Sequence, residues 1–210
     1  MSENPNAPRK RVSADERRRL LVAAALRVMR RDGVGAATTR AICAEAGMPH
    51  GAFHYCFHGK KDLYTALLAT EVEVDLDDLW TSVAPGMPPE DGIRALLLAH
   101  WAAIEAAPDA QLVLYELGDL ALRDPDLHDL AQWEQRAAVD KAAEAVARLT
   151  AEGGFGLVRD ARAVAELVVS TLDGVARAWL RHRDDERARA TLTDLAGLLA
   201  TLTTPTGGTP

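Results

Sequence analysis

The chain has 210 residues, 48% hydrophobic and 26% charged, with a formal net charge of −7. That balance is ordinary for a globular protein large enough to bury a core, and it excludes a collagen-like or charge-rich disordered polymer. No apolar run reaches the roughly 18 residues of a membrane span, and the opening MSENPNAPRKRV lacks the apolar stretch of a signal peptide, so the expectation is a cytoplasmic protein with no membrane partner.

Aromatic residues make up only 5%. Ala, Leu and Arg are abundant, and no stretch alternates with period two in Val, Ile and Thr, so the predicted fold class is all-α. Residues 1–12 are polar and end in Arg9-Lys10-Arg11, which reads as a disordered basic arm. A first helix is predicted from Ser13, with Glu16 at capping-box spacing, a stripe of Leu21, Ala24, Ala25, Val28 and Met29, and a stop at Asp32-Gly33. Two short helices follow at about 39–46 and 49–55, joined by Gly47. A long fourth helix is predicted from Lys60 to Val83, halted by the proline-rich 85–89. Further helices are expected near 90–106, 109–123, 125–152, 159–182 and 184–203, nine in all, with a loose tail from 204 to 210. Gly153-Gly154-Phe155-Gly156 reads as a helix stop, since no strand precedes it and no Lys-Ser/Thr pair follows.

Two short helices around a glycine turn are the layout of a helix-turn-helix, whose second helix enters the major groove of DNA. Charge agrees. Residues 1–63 hold 12 Lys+Arg against 6 Asp+Glu, whereas residues 64–210 hold 12 against 25. A basic end suits phosphate, and an acidic remainder stays off the backbone. On a wheel of about 100° per residue, Phe53, Cys56 and Phe57 share one side of the second short helix, the side that must face the core. The opposite side centres on Gly51 and Tyr55, flanked by Ala52 and His54, with His50 at its edge. Gly51 permits close backbone approach, Ala52 offers a methyl to thymine, and Tyr55, His50 and His54 offer hydrogen bonds. Arg40 could read a guanine or bind phosphate, and Lys60 opens a helix whose backbone N–H groups suit a phosphate.

Residues 13–64 resemble the N-terminal domain of the TetR family of transcriptional repressors. The matching pattern is Thr38, Ile42, Ala46-Gly47, Gly51, Phe53 to Phe57, Lys60 and Leu63, with Leu172-Asp173-Gly174-Val175 and Trp179-Leu180 similar to the family's eighth helix. The resemblance implies DNA contacts at Thr38, Thr39, Arg40, His50, Ala52, His54, Tyr55 and Lys60. The sequence departs from the family at Pro49, where many members have serine, and at Ala52, His54 and Cys56. It further implies a helix-turn-helix domain at 13–59, a ligand-binding and dimerisation domain at 60–203 with residues 60–83 as connector, and a homodimer on a palindromic operator.

Other chemistry is sparse. His50, His54 and His58 fall at i, i+4 spacing with Cys56 between them, but a metal role is outweighed by their position on the groove-facing helix, and no metal or cofactor is expected. Arg17, Arg18 and Arg19 read equally as a solvated face or as neighbours of a phosphate. Cys43 and Cys56 read as buried thiols. Asp124, Asp126 and Asp129 surround a helix start, where capping accounts for them. There is no nucleophile elbow and no phosphate loop, so no enzyme is expected. Singly, Trp101, Trp133, Trp179 and Tyr115 read as packing. Together they suit an apolar cavity with His100, Gln111 and Glu116 as polar groups, and an unknown small-molecule effector as its occupant. The stripe Leu167, Leu172, Val175 and Trp179 around Gly174 is wider than one neighbour requires. Glycine costs roughly 1 kcal/mol in a helix interior, which suits a close approach of a second helix, and this is the predicted dimer interface. A DNA binder without a ligand, or a helical enzyme or binding protein, are the alternatives.

Overall fold

The computed structural model describes residues 13–72, 76–84 and 86–205. The predicted arm at 1–12 and the end of the tail at 206–210 lie outside them. The chain divides into two compact units, with the boundary between Leu67 and Leu68. It falls beyond residue 60 because Leu63, Tyr64 and Leu67 on the fourth helix are all buried.

In the first unit, α1 spans Ala14–Asp32, and the Ser13 hydroxyl accepts from the Glu16 N–H at 3.1 Å. Its buried side is Leu21, Ala24, Ala25, Val28 and Met29, the stripe expected from helical periodicity. Gly33 ends it at φ 85°, and a 3₁₀ turn at Val34–Ala36 leads to α2, Thr39–Glu45. The Thr38 hydroxyl caps α2 by accepting from the Ala41 N–H at 3.1 Å. Gly47, at φ 64°, supplies the left-handed residue of the turn, and the Met48 N–H closes back on the Cys43 carbonyl at 2.8 Å. Then α3 covers Ala52–Cys56, later than the predicted start at 49, because Pro49, His50 and Gly51 form a turn closed by the Ala52 N–H on the Pro49 carbonyl. From Lys60–Val72 runs α4.

The second unit begins within α4 and continues with α5, Leu76–Trp80, after which the chain turns at 81–82. The predicted helix to Val83 therefore stops at Trp80, and its continuity across 73–75 lies outside the described residues. Beyond come α6 (Pro89–Ala106), α7 (Pro108–Arg123), α8 (His128–Gly153), α9 (Ala161–His182) and α10 (Asp185–Ala200). Prolines at the first turns of α6 and α7 give up N–H groups that have no helical partner anyway. Asp124 caps a 3₁₀ turn at Pro125–Leu127, which takes the place of the predicted start of α8. Gly154, at φ 64°, ends α8 as the glycine run predicted. Two short strands were not predicted. β1 (Phe155–Leu157) pairs antiparallel with β2 (Thr203–Pro205), Gly156 opposite Thr204, so the start of the expected loose tail is a paired edge. Each strand has three residues, too few for any alternation to register.

The core of the second unit joins α6, α9 and α10 around Trp101, Trp179, Leu192 and Ala196. The two indoles meet edge to face at 5.4 Å between centroids. Trp101 donates to Glu105 at 2.6 Å and Trp179 to Asp185 at 2.7 Å, so both polar tips are satisfied within the chain. A smaller cluster of Trp80, Leu149 and Phe155 is covered by Arg148, whose guanidinium lies 4.2 Å from the Trp80 ring centroid. Trp101 is wholly buried. Trp101→Ala should cost about 3–5 kcal/mol in urea unfolding; a loss below about 1 kcal/mol would remove this indole from the core.

Candidate DNA-binding surface and ligand cavity

The geometry of α3 follows from two rings. Phe53 and Phe57 are each 1% exposed, with centroids 5.2 Å apart, and they fix the helix from behind. Tyr55 on the opposite side is 89% exposed. Gly51 and His54 are exposed beside it, Ala52 is half-buried, and among the described residues a Cβ added at Gly51 would meet nothing within 4 Å. His50 is exposed, its ring edge-on to His54 at 6.1 Å. Thr38, Arg40 and Lys60 are exposed and Thr39 is half-buried. The Thr38 hydroxyl already accepts a capping bond and keeps its own proton to donate. No cluster of three or more His, Cys, Asp or Glu suited to a metal occurs among the described residues.

One contributor was not predicted. Arg18 donates to the Cys56 carbonyl at 2.6 Å, forks onto both oxygens of Asp62 at 2.7 and 3.4 Å, and lies 4.3 Å from the Phe57 ring centroid. It ties α1 to the end of α3 and the start of α4. The solvated or phosphate-grazing reading of Arg18 is thus replaced by a structural one, while Arg19 pairs with Glu16 on the surface. In a row of three arginines nothing in the sequence separates Arg18 from its neighbours; the matching Asp62 was the available signal. Cys43 is buried, but Cys56 is only half-buried, short of the buried thiol expected. Arg27 and Arg31 share Glu45. Arg40 and Lys60, by contrast, have no ion pair among the described residues, which leaves their charge available to phosphate.

The second unit contains a half-open cavity of about 330 Å³ walled by α6, α7, α8 and α9 together with Leu79, Phe155, Leu157 and Leu199. Its lining is overwhelmingly aliphatic, and the polar groups are His100, Gln111, Tyr115, Lys141, Thr150 and Asp173. His100, Gln111 and Tyr115 were expected there. Trp101, Trp133, Trp179 and Glu116 are not in the wall. Trp101 and Trp179 instead fill the adjoining core, where wide rings can be buried fully, and Trp133 is half-buried on α8. Burial pushes the His100 imidazole below its usual pKa, favouring the neutral form. It also pushes the Tyr115 phenol up, reinforced by the Asp173 charge. The Tyr115 hydroxyl donates to the Asp173 carbonyl at 3.2 Å, and Arg177 lies 3.9 Å from its ring centroid. Glu134 nearby is raised, first by burial and then by Asp173.

The predicted interface stripe divides in two. Leu167 is 47% exposed, and Gly174 is exposed with none of the described residues within 4 Å of an added Cβ. Leu172 turns into the cavity wall, Val175 packs against the core and Trp179 is buried, because a helix has only one side per neighbour and these three fall on the inner one. Leu198 on α10, 67% exposed, was not predicted.

An outward recognition helix backed by aromatic anchors, in a chain with an apolar cavity, defines a helix-turn-helix regulator. The family model for bacterial regulatory proteins of the tetR family matches residues 21–67. Over 186 residues the chain is 30% identical to the HTH-type nicotine-responsive transcriptional repressor HdnoR of Paenarthrobacter nicotinovorans, covering 84% of this chain and 90% of the relative. Among solved structures, the multidrug binding protein EbrR complexed with imidazole is 29% identical with a TM-score of 0.61, covering 86% of this chain and 94% of that one. A TetR transcription regulator from Haloarcula marismortui shares the fold at 22% identity, with a TM-score of 0.71 over 90% of this chain and all of its own. The chain belongs to the TetR family and is a transcriptional regulator. No helix among the described residues is long and apolar enough to cross a membrane.

The Arg18 guanidinium, ahead of the His58 N–H, holds the Asp62 carboxyl below the ordinary carboxylate range, with burial opposing. Its contribution to stability is complete above about pH 4 and is lost as the pH falls through the depressed value. Asp62→Asn should therefore lower the unfolding midpoint at pH 7, and the gap from the parent protein should close towards pH 2; a gap independent of pH would refute the pairing.

Proposed function

We propose that this protein is a cytoplasmic homodimeric repressor, held on a palindromic operator by α3 and released by a small, largely apolar effector. The observation that carries the reading is the face of Gly51, His54 and Tyr55, left outward while Phe53 and Phe57 are sealed behind it. A buried Tyr55 would give the helix nothing to offer a groove. In this reading Arg40, Ala52 and His54 meet base edges, while Thr38, Thr39, His50, Tyr55 and Lys60 position the domain on phosphates.

One such helix covers too few base pairs to be selective, and two-fold dimers solve this with half-sites about 34–36 Å apart. The outer faces of α9 and α10, with Leu167, Gly174 and Leu198, are the surface for that dimer, forming a four-helix bundle with its copy. The bare Gly174 supports it, since among the described residues nothing lies within 4 Å of a Cβ placed there. The cavity takes the effector. HdnoR is named for its response to nicotine and EbrR is a multidrug binding protein, and both lend weight to a small organic ligand here. Effector binding favours a conformer with α4 displaced from the position that suits DNA. The ligand must bind the released conformer better, and a typical coupling of about 1–3 kcal/mol gives a 5- to 150-fold loss of operator affinity.

Three substitutions test the groove assignment in a titration over operator variants. Tyr55→Ala and Lys60→Ala should weaken binding about equally for all sequences, while Arg40→Ala also relaxes preference at one position. Unchanged affinity in all three would refute it. Leu167→Glu with Leu198→Glu should yield monomers in sedimentation and abolish tight operator binding; a dimer that persists would move the interface elsewhere.

A further inference from the structure

The polar groups of the cavity are unequal. Tyr115 donates to the Asp173 carbonyl at 3.2 Å, with Gln111 beside its hydroxyl. The Thr150 hydroxyl donates to the Ala147 carbonyl at 2.9 Å. The Asp173 carboxylate receives Arg177 Nε at 3.2 Å, and Lys141 has an interaction of its own. His100 is different, for it lines the cavity with no hydrogen-bond partner among the described residues. On its own helix the same wall is Ile93, Leu96, Leu97 and Ile104.

We propose that the cavity takes an uncharged, mostly apolar molecule of about two fused rings carrying one hydroxyl, and that His100 recognises that group. The inference rests on the cavity being the effector site. A neutral imidazole presents one donor and one acceptor, so a hydroxyl satisfies it without any transfer of charge, and burial, which pushes His100 towards its neutral form, fits this. An ionised ligand fares worse. It would surrender its hydration to an aliphatic wall, and the two formal charges there, Asp173 and Lys141, are opposite in sign and each already engaged. Aromatic walls that would cradle a cation are scarce, since Arg177 already covers the Tyr115 ring. Size follows from volume. The cavity holds about 330 Å³, roughly twice the ~150 Å³ cavity that accommodates a single benzene ring.

The experiment is calorimetric titration of the full chain with four probes on one scaffold: naphthalene, 2-naphthol, 2-naphthoate and 2-naphthylmethylammonium. The parent protein should bind 2-naphthol at least about tenfold more tightly than either ion. His100→Leu should weaken 2-naphthol about five- to tenfold while leaving naphthalene unchanged or tighter, and His100→Gln should restore most of the loss. Naphthalene binding by each variant reports an intact cavity. An ion that binds as tightly as 2-naphthol overturns the proposal. So does a His100→Leu variant that weakens 2-naphthol and naphthalene alike, or a parent protein that binds none of the four. If the expected pattern appears but saturating 2-naphthol leaves operator affinity unchanged, recognition by His100 stands and the repressor-release reading falls.

Discussion

The seating of Phe53 and Phe57 behind α3 is the interaction on which the rest depends. A five-residue helix has too few internal hydrogen bonds to persist alone, so its orientation is set by what it buries. Two adjacent rings, one turn apart, leave Tyr55 only the opposite direction. Arg18 completes the arrangement. By binding the Cys56 carbonyl and Asp62 while covering the Phe57 ring, it holds the end of α3 to the start of α4 through contacts a lysine could not reproduce.

That construction separates two populations of basic residues. Arg18, Arg19, Arg27 and Arg31 are matched by carboxylates of the same unit, and they hold helices together or solvate them. Arg40 and Lys60 flank the exposed face unpaired among the described residues. A count of charges gives the sign of the field, but geometry decides which cations are free to meet phosphate. In the second unit the same principle operates with apolar groups. The indoles of Trp101 and Trp179 close the core and satisfy their N–H groups internally, so the cavity beside them is left mainly to aliphatic side chains and a few polar groups, His100 among them.

Much of this was legible in the sequence. Helices with long apolar stripes and local start or stop signals such as caps, prolines and glycines, α1 and α6 to α10, fell within a few residues of their expected bounds, since these signals are local. The faces of α3 followed from a wheel because Phe53, Phe57 and Tyr55 are large and unambiguous. What escaped was non-local. The β1–β2 pair joins residues some fifty positions apart along the chain through three-residue strands, and Arg18's role depends on Asp62, 44 residues on. Few aromatics, set together on central helices, suggest a cavity wall. Composition can say that large rings sit in the interior but not whether they fill it or line a hollow within it. Leu172 and Val175 were given to the dimer surface for a similar reason, as one wide apolar stripe on α9 serves the core, the cavity and the exterior at once.

The most direct test is the salt dependence of DNA binding, measured by fluorescence anisotropy on a palindromic duplex selected from random sequence by the purified protein. If the exposed α3 face enters a groove, log K falls linearly and steeply with log of salt concentration, with a slope set by several neutralised phosphates, and a scrambled duplex of equal length binds far more weakly. Failure to bind any duplex at low ionic strength, or a flat dependence on salt, contradicts the account.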